Sequence, residues 1–198
     1  MINISKDVER KKPFNSTATL TGTAILSTLV IVFDYALKYS GFKIPFPWMP
    51  MLKFDFTGIP VAIGLLLYGL PSAATTSLVA FLAIFARSGD LVGASSKFIA
   101  EFTTVLGLWV GIKTSSKLGF GLKKGVVPGY IISLLARVIS MTAVNLVVLP
   151  VFYKIPYEVA IGMLPLIGVF NAIQGSITVL LGYAIHQAYL KRVRGSEA

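Results

Sequence analysis

Six long apolar segments limit the folds that this chain can adopt. They cover residues 16–37, 58–70, 72–86, 93–112, 126–149 and 161–190. A helix of about 20 apolar residues spans the hydrocarbon core of a bilayer. The second and third segments are shorter, and we interpret them as two helices, separated at Pro71 and capped by Ser72, rather than one kinked helix. The sequence therefore predicts an all-α membrane protein with six transmembrane helices.

The composition agrees with a membrane protein and disfavours several other functions. Only 13% of the residues are charged and the mean hydropathy is +0.79, whereas soluble domains carry about 25% charged residues. Cysteine is absent and His186 is the single histidine, so we expect no metal site and no bound cofactor. The chain has no phosphate-binding loop and no Ser–His pair placed for acyl transfer, which argues against an enzyme.

The basic residues predict the orientation of the spans. With six spans, the side that holds both termini carries eleven Lys and Arg residues and the opposite side carries six, while Arg137 lies within a span. Positive residues concentrate on the cytoplasmic side, so both termini are expected there. Topology and anionic lipid head groups then account for most of the formal charge of +10, and no nucleic acid partner is required. We divide the chain into a cytoplasmic segment (1–15), a membrane domain (16–190) and a basic cytoplasmic tail (191–198).

The outer loop after the first span, residues 38–57, is rich in proline and aromatic residues. Pro45, Pro47 and Pro50 favour an ordered, extended strap over a flexible linker. Trp48 and its aromatic neighbours allow two interpretations. The loop is either an interfacial aromatic belt or a lid over a pocket that opens to the outside.

Three amides lie inside the last two apolar segments. Asn171 and Gln174 are three residues apart and share one helix face, and Asn145 lies at a similar distance from the outer end of its own helix. Polar side chains in a bilayer require a partner or a cavity. These amides therefore either bind a polar ligand near the outside or join neighbouring helices by hydrogen bonds.

Two charged residues lie near the middle of the fourth and fifth apolar segments. We interpret Glu101 and Arg137 as a buried structural ion pair, because unpaired charges within a membrane are rare. Lys97 lies one helical turn before Glu101 and closer to the outer mouth, so it is expected to line the pocket.

Three segments resemble a known family. LKFDFTGIP at 52–60, MTAVNLVVLP at 141–150 and VFNAIQG at 169–175 are similar to motifs of the S-components of energy-coupling-factor vitamin transporters, above all the riboflavin-specific subfamily. The resemblance implies a membrane-embedded subunit that captures a vitamin, with riboflavin as the first candidate. It adds Lys53, Asp55 and Trp48 to the candidate substrate-binding residues.

The chain also departs from that subfamily. Gly58 replaces an Asp, Ala94 and Lys97 replace a Glu and an Asn, and Gln174 replaces a Lys. Asn145 and Asn171 match, and an amide can both donate to and accept from the edge of a flavin. Gln174 keeps hydrogen-bonding capacity without the charge, so either neutral riboflavin or a related polar heterocycle fits these residues.

The resemblance also implies partners: a transmembrane coupling subunit and two ATPase subunits that drive uptake. S-components dock through small residues on the first helix, where this chain has Ala18 with Gly22 and Ala24 with Thr28. Small residues at this spacing let helices approach closely. Two other classes remain open, namely a structural or chaperone-like membrane protein with interhelical polar contacts, and a stand-alone secondary transporter or channel.

Overall fold

The computed structural model describes residues 16–41, 43–119 and 122–195, so the predicted N-terminal segment 1–15 lies outside the described residues. Six helices and one hairpin follow each other along this part of the chain. The helices are α1 (Thr17–Tyr39), α2 (Gly58–Tyr68), α3 (Leu70–Ser88), α4 (Leu91–Lys117), α5 (Leu122–Val151) and α6 (Tyr157–Gly195). The strands are β1 (Ile44–Phe46) and β2 (Met49–Phe54). Helix α6 continues to Gly195, so the first part of the predicted tail is helical.

Five of the six helices are long and apolar enough to cross a membrane, and α2 is the exception. Its 11 residues rise only about 17 Å, roughly half of the hydrocarbon thickness. The first eight residues of α2, Gly58 to Leu65, are all buried. The short helix is therefore covered by neighbouring helices rather than by lipid. Of the six predicted spans, this second one crosses only about half of the membrane.

Gly69 separates α2 from α3, as the two-helix interpretation requires. Its φ of 94° lies in the region that glycine adopts without strain. The predicted N-cap at Ser72 is wrong, because α3 begins earlier, after Gly69, and holds Pro71 in its first turn. Ser72 is instead buried, and its hydroxyl oxygen lies 2.7 Å from that of Thr23 on α1. The side chain thus joins two helices rather than capping one.

Helices α4 and α5 pack closely because glycines line their contact. A side chain on Gly111 would meet the backbone of Gly129, and one on Gly107 would meet the backbone of Ser133 at 2.7 Å. Such close approach of two helix backbones needs residues without a side chain. Helix α6 packs against α5, and α3 packs against α4.

The outer loop forms an antiparallel β-hairpin, which the all-α prediction did not include. Ile44 pairs with Phe54 and Pro45 with Lys53, and the register is irregular between Pro45 and Phe46. Phe46 and Met49 are buried against apolar residues of α5 and α6. The loop is packed onto the bundle as a hairpin, rather than extended over it as the predicted strap.

An ionic cluster fixes the chain just before the hairpin. Asp34, near the end of α1, is 1% exposed and accepts from Lys43 Nζ at 3.0 Å and from Arg87 Nε at 2.6 Å. Arg87 belongs to the last turn of α3. One buried carboxylate thus joins two helix ends to the start of β1, at the same end of the bundle as the hairpin.

Candidate binding cavity

A cavity of about 370 Å³ lies between the hairpin and helices α4, α5 and α6. This volume falls at the lower end of the range for small-molecule sites. Apolar side chains from the hairpin, α5 and α6 form much of its wall. They include Met49, Leu52, Met141, Leu149 and Phe170. Polar side chains project from the remaining wall. An apolar cleft with a few convergent polar groups is the usual form of a ligand site.

A chain of alternating charges runs along the wall of the cavity. Lys97 Nζ lies 2.7 Å from Asp55 Oδ1 and 2.8 Å from Glu101 Oε1. Arg137 Nη1 lies 3.3 Å from the same Glu101 oxygen. The hairpin end, α4 and α5 are therefore connected by two acids and two bases that neutralise one another. Lys97 and Asp55 line the cavity, as does Arg137, whereas Glu101 lies behind them.

The Arg137 side chain is almost completely buried, with 2% exposure. Besides Glu101, its Nη1 donates to the Ala100 carbonyl oxygen and to Thr104 Oγ1 at 3.0 Å. Its Nε donates to Asn171 Oδ1 at 3.2 Å. The guanidinium therefore links α4 and α6 through α5. Sequence reasoning assigned Arg137 a structural role alone, but in the structure it also borders the cavity.

The Asp55 carboxyl lies between β2 and α2, outside the spanning helices. Burial raises its pKa, but the charge and hydrogen bond of Lys97, with a hydrogen bond from Thr57, lower the pKa from 3.8 to about 2. Asp55 Oδ1 accepts from the Thr57 backbone N–H and hydroxyl at 3.1 and 2.8 Å. The carboxylate thereby also shapes the chain where the hairpin leads into α2.

Two of the three predicted ligand-binding amides are engaged by the protein itself. Gln174 Oε1 accepts from the Asp55 backbone N–H at 3.3 Å, and Gln174 Nε2 donates to the Asp55 carbonyl oxygen at 2.8 Å. Asn171 Oδ1 accepts from Arg137, and Asn171 Nδ2 donates to the Ile167 carbonyl oxygen at 2.9 Å. Both residues line the cavity, yet each already holds two parts of the chain together.

Asn145 is the most available of the three amides. It is half-buried and lines the cavity, and its Nδ2 donates to the Met141 carbonyl oxygen one turn earlier in α5 at 2.7 Å. That bond leaves the side-chain amide oxygen and one amide N–H of Asn145 free to bind a ligand. All three amides border one cavity.

The two hairpin candidates have different positions. Lys53 lines the cavity and is exposed. Trp48 is not among the residues that line the cavity, and its role in substrate binding stays a prediction. Its side chain is 65% exposed and its ring centroid lies 5.1 Å from that of Phe46. The tryptophan occupies the hairpin turn, between the end of β1 and the start of β2.

The position of Gly58 explains one departure from the riboflavin-specific motif. Any side chain there would meet Glu101 Oε2 and Thr178 Oγ1, because these atoms fill the space beside the glycine. An Asp cannot be accommodated at this position while Glu101 keeps its place. A carboxylate from α4 thus occupies the neighbourhood that the motif would give to a carboxylate from α2.

The small residues of α1 fall on different faces. Ala18, Ala24 and Thr28 are exposed on the bundle surface. Gly22 is half-buried, and a side chain at this position would meet the ring of Tyr68 at the end of α2. Of the two predicted pairs, only Ala24 with Thr28 presents both members outward.

Several cavity residues were not identified from the sequence. Ser96, Met141, Tyr153 and Phe170 line the cavity but were not predicted to do so. Phe170 adjoins Asn171 within the recognised motif, which is the only signal that pointed to it. Tyr153 follows the end of α5, where nothing in the sequence distinguishes a cavity wall from an exposed turn.

Comparison with known proteins gives a match at the level of structure. No protein-family model matches the sequence, and no curated protein matches it. A solved structure, described as the S component of a bacterial ECF transporter, superposes with a TM-score of 0.73 and 22% sequence identity. The match covers 89% of this chain and 97% of that chain. The chain therefore has the fold of an S component over nearly its whole described length.

Proposed function

We propose that the chain is the substrate-binding subunit of an importer and captures a small heterocyclic vitamin from outside the cell. The observation that carries the proposal is the cavity between the hairpin and α4–α6, which is lined by both apolar and polar side chains. The S-component fold supports the same role. Riboflavin is the first candidate because the motifs around Lys53, Asn145 and Asn171 resemble those of the riboflavin-specific subfamily.

The cavity suits a planar ring that carries polar groups along one edge. Met141, Leu149 and Phe170 offer apolar contact for the faces of a ring. Asn145 offers an amide oxygen and an N–H toward a heterocycle edge. The contacts of Asn171 and Gln174 preorganise this wall, since their side chains are already held in place by Arg137 and Asp55. Preorganised groups lose little entropy when a ligand binds.

Uptake would need energy from partner subunits, because the sequence contains no nucleotide-binding loop of its own. We propose a multi-pass subunit of the cell membrane with cytoplasmic termini, assembled with a transmembrane coupling protein and two ATPases. The outward-facing pair Ala24 and Thr28 on α1 is the candidate contact with the coupling protein. The purified chain alone is expected to bind its ligand without transporting it.

The test of ligand identity is optical. A flavin held in the cavity would colour the purified protein yellow, and burial of its ring would quench its fluorescence. We expect riboflavin to bind the detergent-purified chain with strong quenching, and Asn145→Leu to weaken this binding. No quenching and no heat of binding at micromolar riboflavin would reject riboflavin as the ligand.

A second function is favoured by one observation. Asn171 and Gln174 form hydrogen bonds to other parts of the chain. A structural membrane protein would use polar side chains in the same way, to hold its helices together. Retention of small molecules separates the two proposals. A binding subunit purified from its host membrane retains or rebinds a vitamin, whereas a structural protein binds none of a vitamin panel and leaves the cavity to solvent.

A further inference from the structure

The charges around the cavity carry information about its ligand. We propose that the ligand bears an acid group, a carboxylate or a phosphate, attached to an apolar ring or chain. This inference rests on the binding function proposed above. It differs from the riboflavin candidate in its chemistry, because riboflavin is neutral. Three features of the described residues support it: the charge balance, the free nitrogen of Arg137, and the hydrogen-bonding groups that the cavity presents.

The charge balance of the cavity wall is positive. Its ionised lining residues are three bases, Lys53, Lys97 and Arg137, and one acid, Asp55. Lys97 is neutralised by Asp55, and Arg137 by Glu101 behind the wall. Within the described part of the chain, no carboxylate lies within ion-pair distance of Lys53. The cavity therefore retains one positive charge that the protein does not match.

The guanidinium of Arg137 has one nitrogen without an acceptor. Its Nε and Nη1 donate to α4 and α6, whereas Nη2 makes no hydrogen bond to any described residue. The side chain is 2% exposed and borders the cavity. Nη2 is not among the fully buried atoms that lack a partner, so it keeps accessible surface and is free to donate to a ligand in the cavity. An oxygen of a bound acid group would satisfy it with a charge-assisted bond.

The cavity presents more donors than acceptors among its described lining residues. The oxygens of Asn171 and Gln174 already accept from Arg137 and from the Asp55 backbone. Asn145 Oδ1 and Asp55 Oδ2 remain as acceptors, but the three amides each keep one N–H and Lys53 keeps all three of its ammonium N–H groups. A wall of this kind selects a ligand that is rich in acceptors. A carboxylate offers about four acceptor sites and a phosphate offers three strongly accepting oxygens.

A neutral ligand would fit less well for a physical reason. It would displace water from Lys53 and from Arg137 Nη2 without supplying a compensating charge, and desolvation of an unmatched charge opposes binding. An acid group supplies the charge, while Met141, Leu149 and Phe170 bury the rest of the molecule. The apolar and the charged lining residues together therefore favour an amphipathic organic acid.

The test uses pairs of probes that differ only in the acid group: riboflavin 5′-phosphate with riboflavin, nicotinate with nicotinamide, and biotin with its methyl ester. Affinities are measured by calorimetry on the detergent-purified chain. We expect the acid member of a binding pair to bind about tenfold more tightly or better. Lys53→Met should abolish most of this preference and Lys53→Arg should retain it. Lys38→Met, an exposed lysine at the same end of the bundle, should leave the preference unchanged.

The outcomes separate this inference from the function on which it rests. Equal or weaker binding of the acid member in every pair that binds would overturn the acid-group inference and leave the binding subunit intact. A preference for the acid member that survives Lys53→Met undiminished would also overturn the assignment to this cavity wall. If no member of any pair binds at millimolar concentration, both the inference and the proposed function fail for these ligands.

Discussion

Lys97 is the residue whose removal should disturb this protein most specifically. Its side chain is 15% exposed, and its Nζ lies between Asp55 Oδ1 at 2.7 Å and Glu101 Oε1 at 2.8 Å. Substitution by Met keeps the length and apolar stem of the side chain and removes only the charge and its donors. Two buried carboxylates would then face each other, with Arg137 left to neutralise only Glu101.

The magnitude follows from these distances. Both carboxylate oxygens lie within 2.8 Å of one nitrogen, so they are at most about 6 Å apart, and like charges at that separation repel by about 3 kcal/mol at an effective dielectric constant of about 20. For a chain of this size, that loss lowers the midpoint of thermal unfolding by roughly 10 °C. The double variant Lys97→Met with Asp55→Asn removes the repulsion and should recover most of the loss.

The effect should also depend on pH in a defined direction. The folded-state pKa of Asp55 is about 2, below its ordinary value of 3.8. A depressed pKa contributes stability above the ordinary value, and this contribution, about 2 kcal/mol here, is lost as pH falls from about 4 to about 2. Without Lys97, burial raises the pKa of Asp55, so its carboxylate becomes protonated at a higher pH. The stability difference between wild type and Lys97→Met should therefore narrow on acidification.

The assay is thermal unfolding of both proteins in the same detergent, followed by circular dichroism at several pH values. Lys38→Met serves as the control, because it removes an exposed lysine at the same end of the bundle without a described ion-pair partner. Equal stability of Lys97→Met and Lys38→Met at neutral pH would refute the reasoning. So would a double variant that is less stable than Lys97→Met alone.

Three further predictions concern other parts of the molecule. Asn145→Leu should fold normally and weaken ligand binding by roughly 5- to 150-fold, measured by titration, because it removes one amide from a desolvated contact; unchanged affinity would place Asn145 outside the site. Ala24→Leu should leave ligand titration unchanged but reduce co-purification with the coupling subunit and vesicle uptake, whereas Gly22→Leu should lower stability first, since it meets Tyr68. Gly111→Leu should destabilise the α4–α5 contact by at least about 1–3 kcal/mol, measured by unfolding, because the new side chain meets backbone that cannot rotate away.

The helices were predictable because hydropathy and helix breakers act locally. All six apolar segments correspond to helices, and the division between α2 and α3 lies at Gly69, two residues before the predicted breaker Pro71. The hairpin was not predictable in the same way. Pro45 and Pro50 argue against strands in the interior of a sheet. The structure tolerates them because the sheet has only two strands, so each strand has one edge that needs no partner.

The polar residues of the cavity were predictable, but their hydrogen-bond partners were not. Periodicity places Asn171 and Gln174 on one helix face, and the structure brings both to the cavity. Their hydrogen-bond partners depend on the tertiary fold. Gln174, for example, binds the backbone of Asp55, which lies 119 residues earlier in the sequence. The contact of Gly22 was not predictable for the same reason, because its neighbour Tyr68 lies on a different helix. Small-residue spacing identifies a surface of close approach without identifying what approaches it.

The hairpin is held at both of its ends, and this restricts how the cavity can open. Before β1, Lys43 is tied to Asp34; after β2, the Asp55 backbone is held by both atoms of the Gln174 amide, much as a neighbouring strand would hold it. A segment fixed at two points cannot swing like a hinged flap. Its remaining freedom lies between those points, at the irregular register beside Phe46 and the turn that carries Trp48. Access to the cavity is therefore set by how far the middle of the hairpin bends while its two anchors stay in place.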